Sequence, residues 1–409
     1  MKSKRSSDFT LGIEEEFQMV ERETGQLSSR IHDILPKAAP LLGEQHVKAE
    51  VQQSTVELVS DVMPNVAAAR RQMGELRARL AQVLADEGLA LISAGTHPYA
   101  LWHEQKTTEN ERYADLEEEF QDVSRSILVY GLHIHVGIEN PELAIAVMNQ
   151  VRSWLPHLLA LSTNSPLWEG RLTGLKSYRS VVWQRIFRSG IPEIFPSRHD
   201  FEQYIERLIQ AGHIDDGRRV WWDIRPHATY PTLEFRICDM PATLDDTIAL
   251  AALCQALVAK LSWLHHHHLT MHVLPRYFIE EHKWYASRYG LDARVFDFIQ
   301  GRHLTMRESI NELLDLVDDV LDDLGCRREI LYLRTLLSSP SGTGADRQIS
   351  LYRQTGNLDA VTNYLVQQTM RGINPPVVAP VTSPLPVLLS TPPPALPAEP
   401  VSALPPVDY

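Results

Sequence analysis

Three short segments place residues able to bind cations and phosphate two positions apart. In Gly12-Ile13-Glu14-Glu15-Glu16-Phe17, period-two alternation puts Glu14 and Glu16 on one face of an extended strand, with Ile13 and Phe17 opposite. In Gly131-Leu132-His133-Ile134-His135-Val136-Gly137, His133 and His135 share a face while Leu132, Ile134 and Val136 turn to the core. In Leu233-Glu234-Phe235-Arg236-Ile237, Glu234 and Arg236 share a face. In one sheet, these strands would display three carboxylates, two imidazoles and a guanidinium on one side. Carboxylate oxygens with an occasional imidazole suit magnesium or manganese, and arginine suits phosphate oxygens. Antiparallel sheets commonly leave one face solvated, so charge on any single strand carries little information. Solvated faces are usually sprinkled with Lys, Thr and Ser, however, and acid or His pairs recurring in three apolar strands form a different pattern.

Glu50 and Glu57 add two acids. Their spacing is odd, so a continuous strand would send them to opposite faces, and both serve one site only if a bulge or turn intervenes. Asp61 reads as a turn residue before Pro64. Tyr178, Arg179 and Arg185, with Trp183 among them, could hold an amino-acid α-carboxylate, the arginine bidentately. Helix packing with snorkelling arginines accounts for them equally well. Asp223 and Arg225 share a strand face and can pair, and Arg225 is a candidate for touching a nucleotide. His97, between a strand and Pro98, sits at a loop position suited to function or to capping that loop. The histidines at 265–268 and His272 look like a metal cluster, but consecutive helical residues diverge, and they read as a surface tract. Asp315, Asp318, Asp319, Asp322 and Asp323 read as a solvated helix face.

The elements that must position these residues follow from periodicity. Strands are expected over 9–20, 89–94 and 128–138, and extended text over 46–63, 220–226 and 232–238. Helices are expected over 28–42, 65–87, 109–126, 141–162, 178–188 and 200–210, and almost continuously from 244 to 370. Pro64 marks the start of the second helix and Gly88 lies just past its end. Strands first and helices last predict an α+β fold on a mostly antiparallel sheet. The expected organisation is a catalytic domain over 8–372, sheet-rich over 8–240 and helical over 241–372, then a disordered tail over 373–409. Of the chain's 26 prolines, 12 fall in 374–409.

The chain has 409 residues and a formal net charge of −13, with no overall pull toward nucleic acid or an anionic membrane. Cys238, Cys254 and Cys326 form neither a disulfide framework nor a zinc motif and fit a reducing compartment. No apolar signal core follows the basic first residues, and the apolar run 248–264, broken by Gln255 and Lys260, reads as a buried helix. The expected location is cytoplasmic.

Five motifs in order resemble the bacterial glutamate–cysteine ligase type 2 family. They are Gly12 to Phe17, Glu50 with Ser54-Thr55-Val56-Glu57-Leu58, Gly95-Thr96-His97-Pro98, Gly131 to Gly137, and Trp222-Asp223-Ile224-Arg225-Pro226 with Thr232 to Arg236. The resemblance spans about residues 8–370 and implies carboxylate–amine ligases of glutamine-synthetase-like fold, an antiparallel sheet funnel with ATP at one end, the acceptor carboxylate at the other and divalent ions between. It implies that Glu14 and Glu16 bind different ions, joined by Glu50 and Glu57 on one and by His133 and Glu234 on the other. It places Arg236 toward the transferring phosphate and Thr55 at a substrate contact where family members often carry Gln. The implied reaction phosphorylates glutamate with ATP to γ-glutamyl phosphate, which cysteine's amine attacks to give γ-glutamylcysteine, ADP and phosphate. Charge neutralisation and positioning are what such a transfer needs. A carboxylate, or a neutral imidazole such as His135 or His97, could take the amine proton. Partners are small amino acids and amines, and a homodimer is one assembly open to the chain. A phosphagen-kinase-like phosphotransferase, a divalent-metal hydrolase and a non-catalytic binding protein are the competing readings.

Overall fold

Alternating polar and apolar residues make Leu11–Glu21 (β1) the spine of a seven-stranded sheet. The other strands are Val47–Ala49 (β2), Thr55–Val59 (β3), Leu89–Ile92 (β4), Gly131–Gly137 (β5), Ile224–Pro226 (β6) and Thr232–Asp239 (β7). Their order is β6-β7-β5-β1-β3-β2, with β4 also on β1, and all of these pairings are antiparallel. The computed structural model describes residues 9–373, so all but the first residue of the expected proline-rich tail lies outside the described residues.

One face of the sheet is apolar. Ile13, Phe17, Leu58, Leu132, Ile134, Val136, Leu233 and Phe235 are all buried there, and the helices Val66–Asp86, Pro141–Val151 and Leu244–His266 pack around this core. Burial of this kind supplies the main driving force for the fold. Leu244–His266 is the one described helix long and apolar enough to cross a membrane, and it is mostly buried inside the protein.

The apolar face carries one acid that the sequence reading passed over. Glu15 lies between Glu14 and Glu16, so alternation turns it inward. There it is fully buried and accepts from Arg77 Nε at 2.8 Å, from Arg77 Nη2, and from Thr247 Oγ1 at 2.8 Å.

The helix Val66–Asp86 begins one residue later than expected, with Pro64 outside it and Asn65 as its cap. Asn65, in extended backbone, accepts at Oδ1 from Ala68 N–H at 2.9 Å. Asn65→Ala should lower the stability of the protein by about 1 kcal/mol, read as a lower denaturant midpoint at unchanged slope.

Several expected boundaries shift. The helix expected over 109–126 breaks into Glu111–Phe120 and Asp122–Arg125, because Gln121 adopts φ 50°. The helix expected over 141–162 tightens into a 3₁₀ turn at Arg152–Trp154, just before Pro156, which lacks the N–H needed to continue the ladder. The C-terminal helical text is interrupted by the hairpin Arg294–Asp297 and Arg302–Thr305, with Gly301 at φ 67° in the connection. Asp315, Asp318, Asp319 and Asp322 are exposed, as expected of a solvated face. They pair with Arg334, Arg327, Lys260 and Arg327, at 2.6, 2.9, 2.6 and 2.6 Å.

Candidate active site

The second face of the sheet collects the polar residues by register alone. Glu14 lies opposite His133, Glu16 opposite Glu57, and Glu234 between His135 on one side and Arg225 on the other. Glu50 and Glu57 reach the same place because the chain turns over 51–54 between β2 and β3, which meets the condition their odd spacing imposed. Above this face is a cavity of about 270 Å³ lined by Glu14, Glu16, Glu50, Thr55, Glu57, His133, Arg179, Arg225, Glu234 and Arg236.

Within it, Glu234 is clamped between two arginines. Arg225 donates through Nε to Oε2 at 2.8 Å and through Nη2 to Oε1 at 3.3 Å, and Arg236 donates to Oε1. Burial would raise the Glu234 carboxyl, but Arg236 and Arg225 hold it well below the ordinary range. Arg225 also donates to the carbonyls of Arg218 and Val220, at 3.0 and 2.5 Å, so its fork is engaged in holding Glu234 and the chain. Asp223 does not pair with Arg225. It meets Lys283 at 2.5 Å in a buried pair.

Glu14 Oε2 lies 3.1 Å from His133 Nδ1, and Oε1 lies 3.3 Å from His135 Nε2 without the angle for a hydrogen bond. Burial opposes ionisation of Glu14, yet the two imidazoles keep it well below the usual carboxylate range. His135 is buried, with Nδ1 at 3.1 Å from Thr232 Oγ1, and Glu14 raises its pKa against the effect of burial. Glu16 accepts from the Gly131 N–H at 2.5 Å. Of the remaining acids, Glu50 accepts only from the Val51 N–H at 3.2 Å, too little to offset its surroundings. Burial and the charge of Glu16 push Glu50 up to about 7, and burial with Glu14, Glu50 and Glu16 pushes Glu57 well above its ordinary value.

That surplus of buried carboxylate fits a divalent cation. Donor atoms of Glu14, His133 and Glu234 lie within 4.8 Å of one another. This grouping leaves Glu16 with its cross-strand neighbour Glu57 and with Glu50. A donor set this rich in carboxylate oxygen suits magnesium or manganese better than zinc.

A pH dependence follows. Without a cation the folded chain keeps the Glu50 proton up to about pH 7, whereas the unfolded chain releases it near 4.5. At this group the folded state binds more protons across that window, so its share of stability falls as pH rises from about 4.5 to 7. Glu14 and Glu234, whose values are depressed, act in the opposite direction below that window. The buried His97 and His157, lowered to about 4 and 3, act oppositely up to about pH 6.5, so the Glu50 share is read as a difference. In chelator Glu50→Gln should gain melting temperature relative to the wild type as pH rises from 5 to 7.

Three expected site residues stand elsewhere. His97 is buried away from the cavity. Its Nε2 lies 2.9 Å from the Gly25 carbonyl, and its Nδ1 accepts from the N–H groups of Tyr99 and Ala100, at 3.3 and 3.0 Å. It caps its own loop, and burial lowers it to about 4. Arg185 is exposed and donates to Ser126 Oγ at 3.2 Å. Tyr178 packs on Trp168, with ring centroids 5.4 Å apart. Arg179 does line the cavity, but both its terminal amino groups donate to backbone carbonyls, so the bidentate grip on a carboxylate expected of it is unavailable.

The sequence reading missed the opposite wall of the cavity. Tyr113, Leu116 and Phe120 line it together with Trp183, Ile186 and Trp221. The signal was present as i, i+3, i+7 spacing of large apolar residues in an otherwise charged helix.

This architecture is shared by glutamate–cysteine ligase structures. A glutamate–cysteine ligase from Francisella tularensis solved with AMP superposes with a TM-score of 0.67 at 13% identity, covering 90% of each chain. A bifunctional glutathione synthetase from Pasteurella multocida gives 0.65 at 15% identity, covering 90% of this chain and 53% of that one. The α+β fold of ligase type expected from the sequence is thus the observed one. The chain belongs to glutamate–cysteine ligase family 2, whose model matches residues 10–364. A relative from Solibacter usitatus, provisionally named glutamate–cysteine ligase 2, is 43% identical over 376 residues, covering 92% of this chain and 97% of the relative. One from Chloroflexus aurantiacus, named likewise, is 43% identical over 365 residues, covering 89% and 93%.

Proposed function

We propose that the protein is an ATP-dependent carboxylate–amine ligase that joins glutamate to cysteine through an acyl phosphate. The observation that carries this reading is the row Arg225, Glu234 and Arg236 beside Glu14 and His133, which brings groups able to bind cations and phosphate together on one cavity floor. Family membership and the likeness to an AMP-bound ligase support it.

In the proposed reaction a glutamate γ-carboxylate oxygen attacks the γ-phosphorus of ATP, and ADP leaves. The cysteine amine then attacks the acyl carbon, phosphate leaves, and the amine gives up a proton. Arg236, aimed by Glu234, meets the transferring phosphoryl group. Glu14, His133 and Glu234 would hold one magnesium or manganese ion, and Glu16, Glu50 and Glu57 a second. Such ions, when bound, neutralise phosphate charge. His135, buried beside the cavity with Nε2 3.3 Å from Glu14 and Nδ1 3.1 Å from Thr232, is the imidazole proposed to take the amine proton, since His97 is held at the Gly25 carbonyl. The acidic surface suits a cytoplasmic enzyme acting on small molecules, with no nucleic-acid or membrane partner.

The test is ADP release with magnesium, giving amino acids singly and in pairs. Glutamate with cysteine should release ADP and form γ-glutamylcysteine, and a chelator should stop both. ADP formation that needs a single acceptor and no amine would mark a phosphotransferase. An absence of substrate-dependent ADP would overturn both.

A further inference from the structure

Arg236 sits on an irregular stretch of β7. Phe235 pairs with Ile134 and Cys238 with Leu132, so Arg236 and Ile237 together face His133 alone. Such a bulge leaves backbone groups outside the ladder and re-aims a side chain. The two carbonyls it frees are both satisfied by one residue. Arg179 Nη2 donates to the Arg236 carbonyl at 3.1 Å, and Nη1 donates to the Ile237 carbonyl at 3.2 Å. On the other side, the Arg236 N–H donates to the Asp223 carbonyl at 2.8 Å. The peptide groups flanking Arg236 are thus held from both directions.

The strand beside the bulge makes room for this fork. A Cβ on Gly131 would overlap Arg179 Nη2 and lie 3.0 Å from its Cζ. Gly131 has no positive φ, so space and not backbone conformation accounts for the glycine. Arg179 is 3% exposed, its guanidinium feels the buried Asp239 carboxylate, and both its Nη groups are engaged by the Arg236 and Ile237 carbonyls.

We infer that Arg179 is a positioning residue for Arg236: its fork fixes the bulge that aims the Arg236 guanidinium, and Gly131 is glycine to admit it. The inference rests on the ligase reading, in which Arg236 meets the phosphoryl group. Lysine at 179 would keep the charge but reach one carbonyl at a time.

The experiment measures ADP formation and melting temperature for Arg179→Lys, Arg179→Met, Gly131→Ala, Arg236→Lys and the double variant Arg179→Met/Arg236→Lys. Each single change at 179 or 131 should lower kcat on the order of tenfold to a hundredfold, with KM for ATP and glutamate within about threefold. The double variant should be no slower than Arg236→Lys, because Arg179 acts through Arg236. Gly131→Ala displaces the fork without altering it, so it decides the matter if Arg179→Met does not fold. Losses that multiply in the double variant, or wild-type kcat in folded Arg179→Lys and Gly131→Ala, would overturn the inference and leave the ligase reading standing. A wild-type enzyme that forms no ADP would bring down both.

Discussion

Glu14→Gln is expected to abolish substrate-dependent ADP formation while the protein stays folded. Glu14 is the carboxylate that the two imidazoles and Glu234 surround, and its side chain keeps one quarter of its surface exposed. The amide preserves shape and can still hydrogen-bond to His133, but it removes the charge a cation requires. A metal site contributes several kcal/mol of transition-state charge stabilisation, so the loss should reach about a thousandfold. Glu234→Gln is a poorer probe of the same idea. It would leave Arg225 and Arg236 buried without a counter-charge, at a cost of about 3–5 kcal/mol in stability. Activity lost there could not be separated from unfolding. A coupled ADP assay with a parallel thermal melt distinguishes the two variants. Near-normal turnover in Glu14→Gln would remove Glu14 from the site.

Arg236→Lys should lower the rate of ADP formation at saturating glutamate, ATP and magnesium, with and without cysteine. Lysine keeps the positive charge but loses the planar fork that can contact Glu234 and a phosphate oxygen together. A lost transition-state contact typically costs about 2.7–4 kcal/mol, a hundredfold or more in rate. Were Arg236 only a counter-ion for Glu234, lysine would substitute with a far smaller loss. Unchanged turnover in both conditions would return Arg236 to a structural role.

Much of the site was legible because strand alternation is a strict rule. Once Glu14, His133 and Glu234 are recognised as polar positions in apolar strands, their meeting depends only on the strands being neighbours, and they are. What alternation cannot convey is the engagement of a side chain already on the right face. Arg225 and Arg179 both line the cavity, but backbone carbonyls hold their donors, from the preceding turn for Arg225 and from a distant strand for Arg179. His97 illustrates the same limit: a loop histidine before proline has one appearance whether it faces a substrate or, as here, the Gly25 carbonyl. The apolar wall at Tyr113, Leu116 and Phe120 was hidden by the acids around it, since a charged helix covering a cavity looks like one covering nothing.

The Glu15–Arg77 pair has a consequence for how the strand finds its place. Glu14, Glu15 and Glu16 are chemically identical, so the triplet itself does not distinguish one alignment of β1 from an alignment slipped by a single residue. Such a slip would exchange the two faces of the strand. It would bury two glutamates where Arg77 can neutralise one, and would leave a single carboxylate where the cavity has a pair. Arg77, fully buried on the neighbouring helix, therefore works as a parity check on the central strand. Misaligned chains would carry an uncompensated charge into the core, a penalty of several kcal/mol that selects the alignment before any ligand arrives.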